Sequence, residues 1–130
     1  MIKQDFLLRM IEEIISLIVN MLLKKRKIQQ KEWIEYDCLT KQILGFPTDK
    51  LQEISVQELI DRYEEDPNKM GKIELAAMTL LKMSDEEEAN LLLKAKLRQD
   101  GLELLKYVQK ESNQFSIQRV QLISVLETNC

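Results

Sequence analysis

Histidine is absent from this 130-residue chain. Its absence removes the commonest general base and the commonest transition-metal ligand. It also removes the Glu-x-x-His pairs on which di-metal helical bundles depend. Cysteine is sparse: Cys38 falls inside a helical pattern and Cys130 ends the chain. Neither a disulfide framework nor zinc spacing can be built from them, and with no leader pattern at the start a reducing cytoplasmic setting is expected. Only 3 glycines and 2 prolines leave little material for hairpin turns. Strand-forming Val, Thr, Tyr, Phe and Trp are scarce as well.

Excess positive charge is also missing. Lys and Arg number 19 against 22 Asp and Glu, for a net charge of −3. A nucleic-acid partner normally demands a basic patch, so none is expected. The one basic cluster, Lys24-Lys25-Arg26-Lys27, ends a predicted helix, where cations offset the negative end of the dipole. The longest uncharged run of that helix, residues 14–23, contains Ser16 and Asn20. A spanning helix needs about 20 mostly apolar residues, so no membrane span is expected. No phosphate loop, zinc spacing or nucleophile elbow occurs. The chain therefore carries no assignable catalytic, cofactor-binding or metal-binding residue, and enzyme activity is not expected.

What is present is helix-forming. Hydrophobic residues make up 45% and charged residues 32%, with Leu, Ile, Glu, Lys and Gln dominant. These favour helix, and the length suits one domain spanning residues 1–130 with a real core. The expected class is all-α: five or six helices joined by short turns, which make neighbours antiparallel.

The first helix is predicted over residues 4–25. Arg9, Glu13, Ser16, Asn20 and Lys24 form one narrow polar stripe, and most other positions are large and apolar. So wide an apolar surface needs cover on two or three sides, which makes this helix central or part of a subunit interface. A second helix is expected over residues 31–44, with Trp33, Tyr36, Leu39 and Ile43 inward, Ile34 and Cys38 beside them, and Gly45 ending it. Residues 48–54 read as a connector with one helical turn. Ser55-Val56-Gln57-Glu58 is a capping box opening a short helix to residue 65, with Leu59, Ile60 and Tyr63 inward.

Asp66-Pro67 signals the next start, for a helix over residues 68–83 with Ile73, Ala76, Ala77, Leu80, Leu81 and Met83 inward. Ser84-Asp85-Glu86-Glu87 reads as a second capping box, placing Asp85 to Glu88 in the first turn of a long helix over residues 85–109. Gly101 inside it marks a bend or a close packing point. A last helix is expected over residues 115–127, with Ile117, Val120, Ile123 and Leu126 inward.

Ile73, Ala77, Leu80, Ala89 and Leu93 follow the spacing of one degenerate tetratricopeptide repeat over residues 73–101. Lys96 stands where that pattern has a second alanine, and Gly101 where it has proline. The opening, Gln4-Asp5-Phe6-Leu7-Leu8-Arg9-Met10-Ile11-Glu12, resembles the start of an uncharacterised bacterial family of small tetratricopeptide-like helical proteins. The resemblance implies a long apolar first helix followed by helical hairpins, in a bacterial cytosol. It implies no activity and carries over no functional residue.

Two roles follow from the residues. Stacked helical hairpins offer grooves to a partner peptide or helix, which makes the chain a protein–protein interaction or scaffold module. Six methionines suit adaptable contacts. Trp33 and Tyr36 are candidate contacts, and Arg9 joins them, either paired with Asp5 four residues earlier or bonded to a carboxylate elsewhere. Alternatively the apolar surplus makes a homodimer through the first or last helix. In either role the partner is an unidentified protein or a second copy.

Overall fold

The computed structural model describes residues 4–24 and 29–128. Among them the chain forms six α-helices and no strand: α1 (Gln4–Lys24), α2 (Gln30–Leu44), α3 (Val56–Arg62), α4 (Lys69–Glu86), α5 (Leu91–Glu111) and α6 (Ile117–Thr128), with a 3-10 segment at Thr48–Gln52 before α3. Lys25, Arg26 and Lys27 lie outside the described residues. None of these helices is long and apolar enough to cross a membrane.

The central helix is α4. From Leu75 to Leu81 every residue is buried, and Lys82 and Ser84 follow. It packs against α1, α2, the 3-10 segment and above all α5. A segment enclosed on so many sides needs a small-residue, all-round apolar surface, which Leu75-Ala76-Ala77-Met78 supplies. The first helix is instead buried on one face, through Ile11, Ile14, Ile15, Ile18, Val19 and Met21. Leu7, Met10, Leu22 and Leu23 are half-buried at its margins. Of its predicted polar stripe, Arg9, Glu13 and Lys24 are exposed, and Ser16 and Asn20 are half-exposed.

Helix α2 ends as expected. Gly45 has a φ of 92°, and its N–H donates to the Lys41 carbonyl at 2.9 Å. Only glycine holds that left-handed conformation without strain. Ser55 caps α3 by accepting the Glu58 N–H at 3.2 Å, while its hydroxyl donates to the Glu58 carboxylate. Helix α3 closes at Arg62, earlier than expected, because Tyr63 turns into the core and donates to the Leu44 carbonyl at 2.6 Å. Asp66 accepts from the Asn68 N–H at 2.8 Å in an Asx turn, so α4 starts at Lys69. Burial alone would raise the Asp66 carboxyl, but the Lys72 ammonium at 2.6 Å and that N–H hold it below the usual range.

The boundary between α4 and α5 departs from expectation. Helix α4 continues through Ser84 to Glu86, so the predicted capping box does not form. The Ser84 hydroxyl donates to the Lys94 carbonyl at 2.9 Å instead. Asn90 caps α5, accepting from the Leu93 N–H at 3.0 Å. Asp85 and Glu86 thus sit at a helix C-terminus, against the dipole, with Glu87 and Glu88 in the turn that follows. Lys94 offsets this: its ammonium donates to the Ser84 and Glu87 carbonyls at 2.7 and 3.2 Å. Ala89 is exposed in the turn.

Gly101 is a packing point inside an uninterrupted α5. A Cβ there would lie 2.8 Å from Leu81 Cγ and 3.1 Å from the Ala77 carbonyl oxygen. The paired small residues let α4 and α5 approach closely. Alanine would gain about 1 kcal/mol of helix propensity, but inserting a methyl into so tight a contact costs about 1–3 kcal/mol. Gly101→Ala is therefore expected to be destabilising, and Gly101→Val severely so, in urea unfolding; an alanine variant more stable than wild type would refute the contact.

Burial pushes the Tyr63 phenol up to about 12. The unfolded phenol ionises near its ordinary value of about 10. The neutral, hydrogen-bonded phenol thus contributes its full stability below about pH 10 and loses it as pH rises toward 12. Unfolding free energy should fall across that interval, and the fall should be blunted in Tyr63→Phe when both proteins are titrated in parallel.

Candidate interaction surface

The orientation of α6 is set by one buried cation. Arg119 is 4% exposed. Its Nε donates to Gln109 Oε1 at 2.8 Å, one terminal nitrogen to Glu74 Oε2 at 2.8 Å, and the other to the Gln114 carbonyl at 2.7 Å. The guanidinium fork ties α6 to α4, to α5 and to the loop before it. Arg98 adds a second tie, donating to the Leu126 carbonyl at 2.6 Å.

With Arg119 inward, Leu122 and Leu126 follow it at helical spacing and are buried. The expected inward set of Ile117, Val120, Ile123 and Leu126 is therefore corrected. Leu126 is buried and Ile123 half-buried, but Ile117 is 62% and Val120 38% exposed. Val125 is exposed on the other flank, and Phe115, just ahead of the helix, is 75% exposed.

The polar residues of this outward surface are Gln118, Gln121, Ser124 and Thr128, all uncharged and exposed. Its one charge, Glu127, is paired with Lys106 of α5 at 3.0 Å. Val120, Ile123, Ser124, Glu127 and Thr128 line an open groove of about 480 Å³. In a chain with 32% charged residues, this helix presents water with apolar and neutral groups and a single paired carboxylate.

The residues singled out in the sequence are not gathered there. Trp33 is half-buried in α2, its ring 4.0 Å from the ammonium of the buried Lys82, which also meets Glu86 at 2.7 Å. The Tyr36 hydroxyl donates to Glu13 at 3.0 Å and bridges α1 and α2. That bond, then burial and the nearby carboxylates, raise the phenol above its ordinary value. Arg9 is exposed on α1, and the Asp5 side chain lies outside the described set. Ile34 and Cys38, expected beside the core, are exposed. Thr40 and Leu44 are buried and Tyr36 half-buried, so the inward face of α2 is turned away from both.

A second depression of about 500 Å³ lies between residues 52–58 and α5, lined by Lys96, Asp100 and Glu103 among others. Lys96 there is committed to Asp100 at 3.0 Å and to the Gln52 carbonyl at 3.2 Å. Among the described residues no three His, Cys, Asp or Glu side chains converge as a metal site. Comparison with protein-family models, with curated proteins and with solved structures returns no match.

Removing one partner of a buried ion pair costs about 3–5 kcal/mol. Arg119→Ala should therefore lose about that much in chemical unfolding, and hydrogen exchange in α6 should accelerate before that of α4. Equal protection of α6 in both proteins would show that the fork does not hold it.

Proposed function

We propose that the protein is an interaction or scaffold module, in which a tetratricopeptide-like hairpin, α4–α5, carries α6 as a docking helix. The observation behind this reading is the outward surface of α6: Phe115, Ile117, Val120 and Val125 open to solvent, beside neutral polar residues. Fully covering a Val, Ile or Phe side chain is worth about 1.5–3 kcal/mol, so a partner that seats on this surface gains from each. Neutral flanks spare the partner the cost of stripping water from charges. The role is through surface and not through chemistry, in a cytosolic setting. Trp33, Tyr36 and Arg9 form a secondary candidate contact on α1 and α2, weaker because both aromatics already have partners within the chain.

A photo-crosslinking side chain at position 120, compared with one at position 110 on α5, tests the docking helix in cells. Discrete adducts are expected from 120 alone, and Trp33→Ala or Tyr36→Ala should leave them in place. The same adduct pattern from both positions would overturn the reading. Ile117→Lys with Val120→Lys should abolish the adducts of a crosslinker placed at 124 while changing stability by only about 0.5 kcal/mol, as read by thermal unfolding.

A further inference from the structure

The junction of α4 and α5 joins two features that the fold itself leaves uncompensated. The first is apolar. Leu91 is 73% and Leu92 85% exposed at the start of α5. The exposed Ala95 lies four and three residues beyond them, on the same side of the helix. The second is charge: Asp85, Glu86, Glu87 and Glu88 come just before this face. Glu86 is paired with Lys82, and Glu87 accepts the Asn90 N–H at 2.9 Å. The carboxylates of Asp85 and Glu88 are exposed and have no ion-pair or hydrogen-bond partner among the described residues. Helix α4 ends at Glu86, so the carbonyl end of its dipole adds to the negative field. The Lys94 ammonium is engaged by the Ser84 and Glu87 carbonyls.

Charge decides what can cover the leucines. A neutral apolar partner would strip water from Asp85 and Glu88 and put nothing in its place. A nucleic acid or an anionic lipid surface has the same sign of charge and is repelled. A lone metal ion is not held, since no three His, Cys, Asp or Glu side chains converge among the described residues. A segment with Lys or Arg beside large apolar side chains meets both needs. Its apolar groups cover Leu91, Leu92 and Ala95 while its cations face the two unpaired carboxylates, as in charge-complementary interfaces. We propose that the α4–α5 junction docks a cationic amphipathic segment of a partner protein. The site uses no residue of α6 and holds whether or not α6 docks anything. The apolar patch is small, so the affinity of one such contact is modest.

The test measures fluorescence anisotropy of a short labelled amphipathic peptide of Leu and Lys, titrated with the full chain. An analogue with Glu in place of every Lys is run in parallel. The Lys peptide should reach half-saturation at about 100 μM, and the Glu analogue should not bind. Leu91→Ser with Leu92→Ser, and separately Asp85→Asn with Glu88→Gln, should each weaken binding about tenfold while helical circular dichroism is unchanged. Glu53→Gln with Glu103→Gln takes the same charge from the depression beside residues 52–58 and should leave binding as it is. Equal binding of the Glu analogue, equal losses from the two carboxylate pairs, or indifference to the leucine substitutions overturns the assignment. So does a Lys peptide that fails to saturate below about 1 mM.

Discussion

A guanidinium taken out of water must be fully paired or it unfolds its surroundings. Arg119 meets that demand by reaching three separate places in the chain. The last helix can sit in only one rotation while those bonds hold. Its core contacts, its groove and its outward apolar row all follow from that rotation. A helix carrying only aliphatic residues on several sides could roll between alternative packings at little cost; a single fork-shaped cation removes that freedom. This is the use of a buried polar group that contributes specificity, where an apolar substitute would contribute only adhesion.

The rest of the body is organised around α4. Its small residues let α5 approach at Gly101, and Lys94 reaches back from α5 to close the carbonyl end of α4. The two helices therefore complete each other's ends and faces, with α1 covering another side. The long apolar first helix supplies much of the core, but it does so as a wall and not as the axis. A chain can place its most hydrophobic segment at the periphery if half-buried margins are tolerated, as Leu7, Met10, Leu22 and Leu23 show.

Where local chemistry dictated structure, it was legible in the residues. The helical class, the extent of α1, the glycine stop at residue 45 and the serine cap at residue 55 follow from propensity, periodicity and cap chemistry, which act within a few residues. The misplacements arose where a distant partner decided. Ser84 has the form of a cap, but its hydroxyl serves a carbonyl ten residues on. The rotation of α6 differs from the expected one because counting apolar residues cannot distinguish faces that are nearly equal in hydrophobicity. The signal that was available was Arg119 itself, a lone cation in an otherwise nearly uncharged helix, flanked by Glu74 and Gln109 only after folding. The sequence offers the last helix as a possible subunit interface but not its free face: Ile117 and Val120 read as core residues until Arg119 turns them outward. Trp33 and Tyr36 read as candidate contacts because they are aromatic, but the Trp33 ring is engaged by Lys82 and the Tyr36 hydroxyl by Glu13.

The contact between Trp33 and Lys82 joins the start of α2 to the far end of α4. It holds the only indole in the molecule. The emission of that ring thus belongs to one junction and to no other. The protein carries a built-in optical gauge of whether the start of α2 is seated against the end of α4.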